Sequence, residues 1–198
     1  MADLSDFIVS KTRVKLLEVF FGGPGGGPLQ MHHVRELVRL TEEEINAVRR
    51  ELSRMEGVGM LRREARGNRV YHALRTEYPF HPELLELVAK TTGLGASIRR
   101  NKEKLGKLYY VMFSGRFVHW FLRKEDDEVD VFLVGDIVLP EIVELIREEQ
   151  KRRGVEINYT PMTKEEFEFR KKRRDPFLLS ILSKSRVMIL GDEESFVG

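Results

Sequence analysis

Two helical stretches that follow each other almost without a spacer are the feature that most constrains this fold. Apolar residues recur at helical spacing from Met31 to Leu40, and Thr41 with Glu44 three residues later fits a capping box. The pattern therefore predicts a second helix that begins at once and turns sharply away. Its buried stripe is formed by Ile45, Val48, Leu52 and Met55, which leaves an outward face of Asn46, Arg49, Arg50 and Ser53.

A hairpin rich in arginine follows this helix pair. Two strand-like runs flank Arg66-Gly67-Asn68, and Gly and Asn accept the positive φ that a tight turn demands. The arginines on or beside the hairpin are Arg62, Arg63, Arg66 and Arg69. Guanidinium groups on a protruding hairpin are suited to phosphate contacts, so we expect a nucleic-acid surface here.

Together the helix pair and the hairpin resemble the winged-helix domain of ArsR/MarR-type transcriptional regulators, over about Ser5 to Leu74. The resemblance implies that the second helix enters the major groove of duplex DNA and that the hairpin touches the backbone or the minor groove. Glu42, Glu43 and Glu44 oppose this expectation, because carboxylates at the start of that helix repel phosphates. A winged helix used for protein contacts is the alternative.

Two further features of the first half argue against other sites. The glycine-rich segment FGGPGGGPLQ breaks the helix predicted over Lys11 to Phe21, and it lacks the Gly-Lys-Ser/Thr of a phosphate-binding loop. His32 and His33 are neighbours on a predicted helix and cannot both face one metal ion, so we interpret them as surface or capping residues.

The sequence predicts a winged-helix domain over residues 1–80, a helical linker over 81–107 and a second domain over 108–198. Pro82 fits the first turn of a helix that Gly93 would end. The segment Ala96 to Lys107 has five Lys or Arg against one Asp or Glu, and it is interpreted as a solvated face or linker, with a nucleic-acid contact as the alternative. Regulators of this type commonly dimerise on palindromes, so we expect a homodimer.

The second half alternates strands and helices. Strand-like runs begin at Lys107, Asp130, Val155 and Arg186, with helical segments over Pro140 to Gly154 and Glu165 to Ser185. We therefore expect a two-domain fold of α+β and α/β character. The order of elements resembles the minimal nucleotidyltransferase domain, over roughly Leu108 to Asp192. That family holds nucleotide phosphates on a Gly-Ser pair, and it binds magnesium with an Asp-x-Asp pair and a third carboxylate.

The chain departs from this pattern in each of the three motifs and keeps one aspartate, Asp130. Ser114-Gly115 replaces Gly-Ser and leads into a bulky turn, Glu128 and Asp130 stand for the acid pair, and Asn158 replaces the third carboxylate. Because magnesium demands near-ideal octahedral geometry, we expect catalysis to be lost, with no catalytic residue, metal or cofactor. The alternative is a magnesium-dependent nucleotidyltransferase acting on a protein or small molecule, with Glu128 and Asp130 as ligands.

Composition limits the remaining classes of function. The 198 residues contain no cysteine, which excludes disulfides, thiolate zinc sites and cysteine nucleophiles. No long apolar run or signal-peptide pattern is visible, so we expect a cytoplasmic protein. The winged-helix resemblance implies that it regulates transcription by binding duplex DNA. A partner protein or small effector is also compatible, and an antitoxin-like interaction module is a third possibility. RKKRRD at 170–175 is interpreted as a solvated helix face, with a nucleic-acid contact as the alternative.

Overall fold

The computed structural model describes residues 4–22, 30–121 and 129–198, which form a mixed α+β fold with two sheets. The chain divides into two compact units, Met1–Thr92 and Gly93–Gly198. The glycine-rich segment lies largely outside the described residues, so what the sequence predicts for it stays a prediction. None of the helices in the described ranges combines the length and the apolar character that a membrane span needs.

The first unit packs helices beside a three-stranded antiparallel sheet of order β1-β3-β2. After a 3-10 turn at Leu4–Asp6, its elements are α1 (Lys11–Gly22), β1 (His32–His33), α2 (Val34–Thr41), α3 (Ile45–Gly57), β2 (Leu61–Arg66), β3 (Arg69–Leu74) and α4 (His81–Thr91). Its core is apolar, because α1, α2 and α3 contact one another through side chains such as Phe20, Leu37 and Leu52, each at most 1% exposed.

The predicted boundaries of the helix pair need two corrections. Helix α2 begins at Val34, because His32 and His33 are paired with β3 and the His33 ring caps the helix by accepting from the Glu36 N–H. The capping box at Thr41 is wrong. Thr41 ends α2, its hydroxyl donates back to the Leu37 carbonyl at 2.7 Å, and Glu42 turns the chain with φ at +54°.

The second unit is a four-stranded sheet covered by helices on both faces. Its elements are α5 (Gly93–Arg100), β4 (Gly106–Ser114), α6 (Gly115–Val118), β5 (Val131–Ile137), α7 (Leu139–Arg153), β6 (Tyr159–Met162), α8 (Lys164–Lys172), α9 (Pro176–Leu182), β7 (Arg186–Leu190) and α10 (Glu193–Val197). The order is β6-β5-β4-β7, and only the β5–β6 pair is parallel.

One face of this sheet carries an aromatic core. Phe132 packs with Phe167 of α8 and Phe196 of α10, and the last two rings stack with centroids 5.4 Å apart. Val131 and Leu133 alternate with Phe132 along β5 and are equally buried, so the opposite face is also covered. Because β5 is packed on both faces, its position in the sheet is well defined. Asp130, which directly precedes β5, is therefore held at one end of the sheet.

Candidate functional site

Helix α3 presents a polar face to solvent. Val48, Leu52 and Met55 are buried on one side as predicted, while Ile45 is half-buried. Asn46, Arg49, Arg50 and Ser53 are all exposed on the other side. The helix begins at Ile45 because the Glu44 carboxylate caps it, accepting from the N–H groups of Asn46 at 2.9 Å and Ala47 at 3.2 Å.

The three glutamates before α3 are not equivalent. Glu43 turns back to α1, where its carboxylate lies 2.6 Å from the Lys15 ammonium and accepts from the Thr12 hydroxyl at 3.1 Å. The hydrogen bond from Lys15 lowers the pKa of Glu43 below its usual range, so this carboxylate stays paired at neutral pH. The repulsion of phosphates that the sequence predicts for three glutamates is therefore due mainly to Glu42 and Glu44.

The hairpin β2–β3 divides its arginines between two faces. Leu61, Arg63 and Ala65 alternate with Arg62, Glu64 and Arg66, and the buried Leu61 marks the side that faces the helices. On the outer side Glu64 pairs with both neighbours, at 3.6 Å from Arg62 and 2.7 Å from Arg66. The two-residue turn has positive φ at Gly67 (+57°) but not at Asn68, so only the glycine half of the predicted turn geometry is present.

A groove of about 640 Å³ lies between α3 and the inner face of the hairpin. Arg49, Arg63 and Arg69 reach it from three elements, and within the described ranges none of them forms an ion pair with a carboxylate. The acid in the groove is Glu56, whose carboxylate is 2.6 Å from the His72 ring. Burial lowers the pKa of His72 despite this carboxylate. With Arg35, which also lines the groove, four arginines and one glutamate set its charge.

A second concavity, of about 490 Å³, extends this surface along α2. Arg35 and Arg39 line it together with Arg69 and Tyr71, and Arg35 and Arg69 line both concavities. Neither Arg35 nor Arg39 was among the predicted site residues. The available signal was their spacing of four on the polar face of α2, which places both on one side of that helix.

The described members of the predicted nucleotidyltransferase set meet at one end of the second sheet. Asp130 directly precedes β5 and Asn158 directly precedes β6, and two hydrogen bonds join them. The Asn158 N–H donates to the Asp130 carboxylate at 2.9 Å, and the Asp130 N–H donates to the Asn158 carbonyl at 2.8 Å. Ser114 joins them, since its N–H donates to the Asp130 carbonyl at 2.9 Å. Glu128, the other predicted acid, lies outside the described residues.

The turn at Ser114-Gly115 does not fit a phosphate cradle. The Gly115 N–H donates to the Ser185 carbonyl at 2.7 Å, and the Phe117 N–H donates to the Ser114 hydroxyl at 3.3 Å. A Cβ at position 115 would collide with the Ser185 side chain, so this glycine is packed against the start of β7. A phosphate-binding turn needs N–H groups that point at the ligand, and these two are already used within the fold.

Within the described residues, the surroundings of Asp130 do not supply the ligands of a divalent metal. The Arg153 guanidinium is close enough for its charge to interact with Asp130, and it lies 3.8 Å from the Phe117 ring centroid and 3.9 Å from that of Trp120. Arg153 also pairs with Glu149 at 2.6 Å and donates to the Phe117 carbonyl at 2.9 Å. Asn158 is neutral, and within the described ranges no three His, Asp or Glu side chains converge as a metal site.

Comparisons of the chain with protein-family models, with curated proteins and with solved structures find no match.

Proposed function

We propose that the first unit is a winged-helix domain and that the protein is a DNA-binding transcriptional regulator. The observation that carries this proposal is the groove between α3 and the hairpin, where Arg49, Arg63 and Arg69 converge without carboxylate partners in the described part of the chain. Arginines are normally paired or dispersed on a surface, and a concave cluster of them fits a phosphate backbone.

Each element has a distinct role in this proposal. Helix α3 enters the major groove, where Asn46, Arg49, Arg50 and Ser53 reach base edges or phosphates. Arg63 and Arg69 contact the backbone from the hairpin. Arg62 and Arg66 also contribute, but less, because Glu64 already neutralises part of their charge.

Duplex binding by the full chain with single alanine variants tests the proposal. We expect R49A, R63A and R69A each to weaken binding to genomic fragments. The slope of log affinity against log salt concentration should fall by about 1 for each phosphate that a variant no longer neutralises. R75A is the matched control, since Arg75 is exposed but lines neither concavity.

Equal affinity of wild type and all three groove variants would refute the assignment. So would an equal loss with R75A, because the effect would then reflect net charge alone. A first unit that captures a protein and binds no duplex at all would favour the protein-contact alternative.

We further propose that the second unit is a nucleotidyltransferase-like domain that has lost catalysis and serves in sensing, dimerisation or partner docking. The support is chemical: the Gly115 N–H is used within the fold, the charge of Arg153 interacts with Asp130, and position 158 is a neutral Asn where the family has a carboxylate. Incubation with labelled ATP, magnesium and candidate acceptors is expected to give no incorporation. Incorporation that D130A abolishes would establish the enzyme instead.

A further inference from the structure

A second concentration of positive charge lies in the second unit, where α8 turns into α9. Residues 170–174 read RKKRR. The first two are held within the fold, since Arg170 pairs with Glu166 at 2.7 Å and Lys171 donates to the Ser195 carbonyl at 3.0 Å. The negative end of the helix dipole accounts for cations in the last turn of α8. It does not account for the two arginines that follow the helix.

Lys172, Arg173 and Arg174 are the remaining cations of this run. All three are exposed, and among the described residues none of them has a carboxylate partner. Arg174 has φ at +52°, in the left-handed region that L-residues other than Gly, Asn and Asp seldom adopt. This residue turns the chain after α8, as Glu42 does after α2.

Exposed aromatic rings lie on both helices that flank these cations in the sequence. Phe169, in the last turn of α8, is 55% exposed, and the Arg173 guanidinium lies 4.5 Å from its ring centroid. Phe177, in the first turn of α9, is 36% exposed. Large rings are normally buried, as Phe167 and Phe196 are in the same unit. Two rings beside three exposed cations provide both stacking faces and phosphate contacts.

We propose that this surface, the α8–α9 surface of Phe169, Lys172, Arg173, Arg174 and Phe177, binds single-stranded nucleic acid. The cations contact successive phosphates, and the rings stack on unpaired bases, which is how proteins hold single strands without reading sequence. A duplex offers the phosphates but keeps its bases stacked inside. An acidic peptide offers charge but no planar bases for the two rings.

The test uses the full chain carrying R49A, R63A and R69A, so that the groove of the first unit contributes as little as possible. Binding of a labelled 20-nucleotide oligothymidine is measured by anisotropy, with a duplex of equal length and a polyglutamate peptide as parallel probes. The variants are K172A/R173A/R174A and F169L/F177L. The charge-matched control is R147A/K151A/K184A, which removes three other exposed cations of the same unit.

We expect K172A/R173A/R174A to bind the single strand at least about tenfold more weakly. The slope of log affinity against log salt concentration should fall by about 2. The phenylalanine variant binds about fivefold more weakly or worse, because it loses stacking while keeping apolar volume. The control binds as its parent does, and all variants keep the parent's melting temperature within a few degrees.

Three results would overturn the proposal: single-strand binding that survives both variants, an equal loss with the charge-matched control, or duplex and polyglutamate bound as tightly as oligothymidine. A parent without the groove arginines that binds no single strand also overturns it. None of these results bears on duplex binding by the first unit, which is tested separately with the chain that keeps its groove arginines.

Discussion

Glu149 is a buried, charged residue inside the second unit. It is 4% exposed on α7 and pairs with Arg152 and Arg153, the latter held between the Phe117 and Trp120 rings. Burial by itself opposes the charged carboxylate, but hydrogen bonds from the two arginines outweigh it and hold the pKa of Glu149 below its usual range. The charged carboxylate is therefore a stabilising element of this unit.

E149Q is expected to lower the free energy of unfolding by about 3 to 5 kcal/mol, because it leaves a buried guanidinium without its charge partner. Urea denaturation of the full chain measures this, and E148Q, at the exposed neighbour, is the control. A loss below about 1 kcal/mol would mean that Arg152 and Arg153 find other partners.

The same carboxylate predicts a dependence on pH. A glutamate whose pKa is lowered by folding stabilises the native state above its unfolded pKa of about 4.3, and this contribution disappears as the pH falls through the lower folded value. Wild type should therefore lose stability below about pH 4 more steeply than E149Q. Parallel curves for the two proteins would show that Glu149 does not carry this effect.

At the scale of elements, a variant of Glu56 in α3 should change duplex affinity in the opposite direction to the arginine variants. Its carboxylate shares the groove with Arg49, Arg63 and Arg69, and it is partly exposed. E56Q removes a negative charge that would face phosphates, so duplex affinity should rise roughly twofold to tenfold, and most at low salt. E83Q, on the exposed side of α4, is the control and should leave affinity unchanged. Weaker binding by E56Q would instead indicate that Glu56 positions His72.

Local sequence patterns predict the elements better than their connections. The outward face of α3 follows from apolar periodicity, and the hairpin follows from Arg66-Gly67-Asn68, because both signals lie within a few residues. The start of α3 could not be predicted in this way. The Thr41 hydroxyl can either cap the next helix or bond back to the Leu37 carbonyl, and tertiary packing determines which of the two bonds forms.

The electrostatics of both candidate sites depends on residues far apart in sequence. Glu43 pairs with Lys15, and the charge of Arg153 interacts with Asp130, so in each case the second charge comes from another element. Arg35 was missed for the same reason, because its place in the groove depends on how α2 packs beside the hairpin. Propensity and periodicity carry no information on such contacts, which only the folded chain brings together.

At the scale of the whole molecule, the proposed regulator is expected to act as a homodimer. Phe80 is 61% exposed, and Leu84, one turn further along α4, is half-buried, which gives this helix apolar surface for a second copy. Light scattering should give about twice the chain mass of 23.1 kDa. F80E/L84E should give the monomer mass and weaker duplex binding, whereas a monomeric wild type with full affinity would contradict this prediction.

The Ser114-Gly115 turn has a consequence for how a similar pair in other sequences should be read. Ser114 caps α6 and Gly115 packs against Ser185, so both residues have structural roles that need no bound nucleotide. Folding alone explains a Ser-Gly pair of this kind, and an activity has to be assigned from other residues, above all the carboxylates.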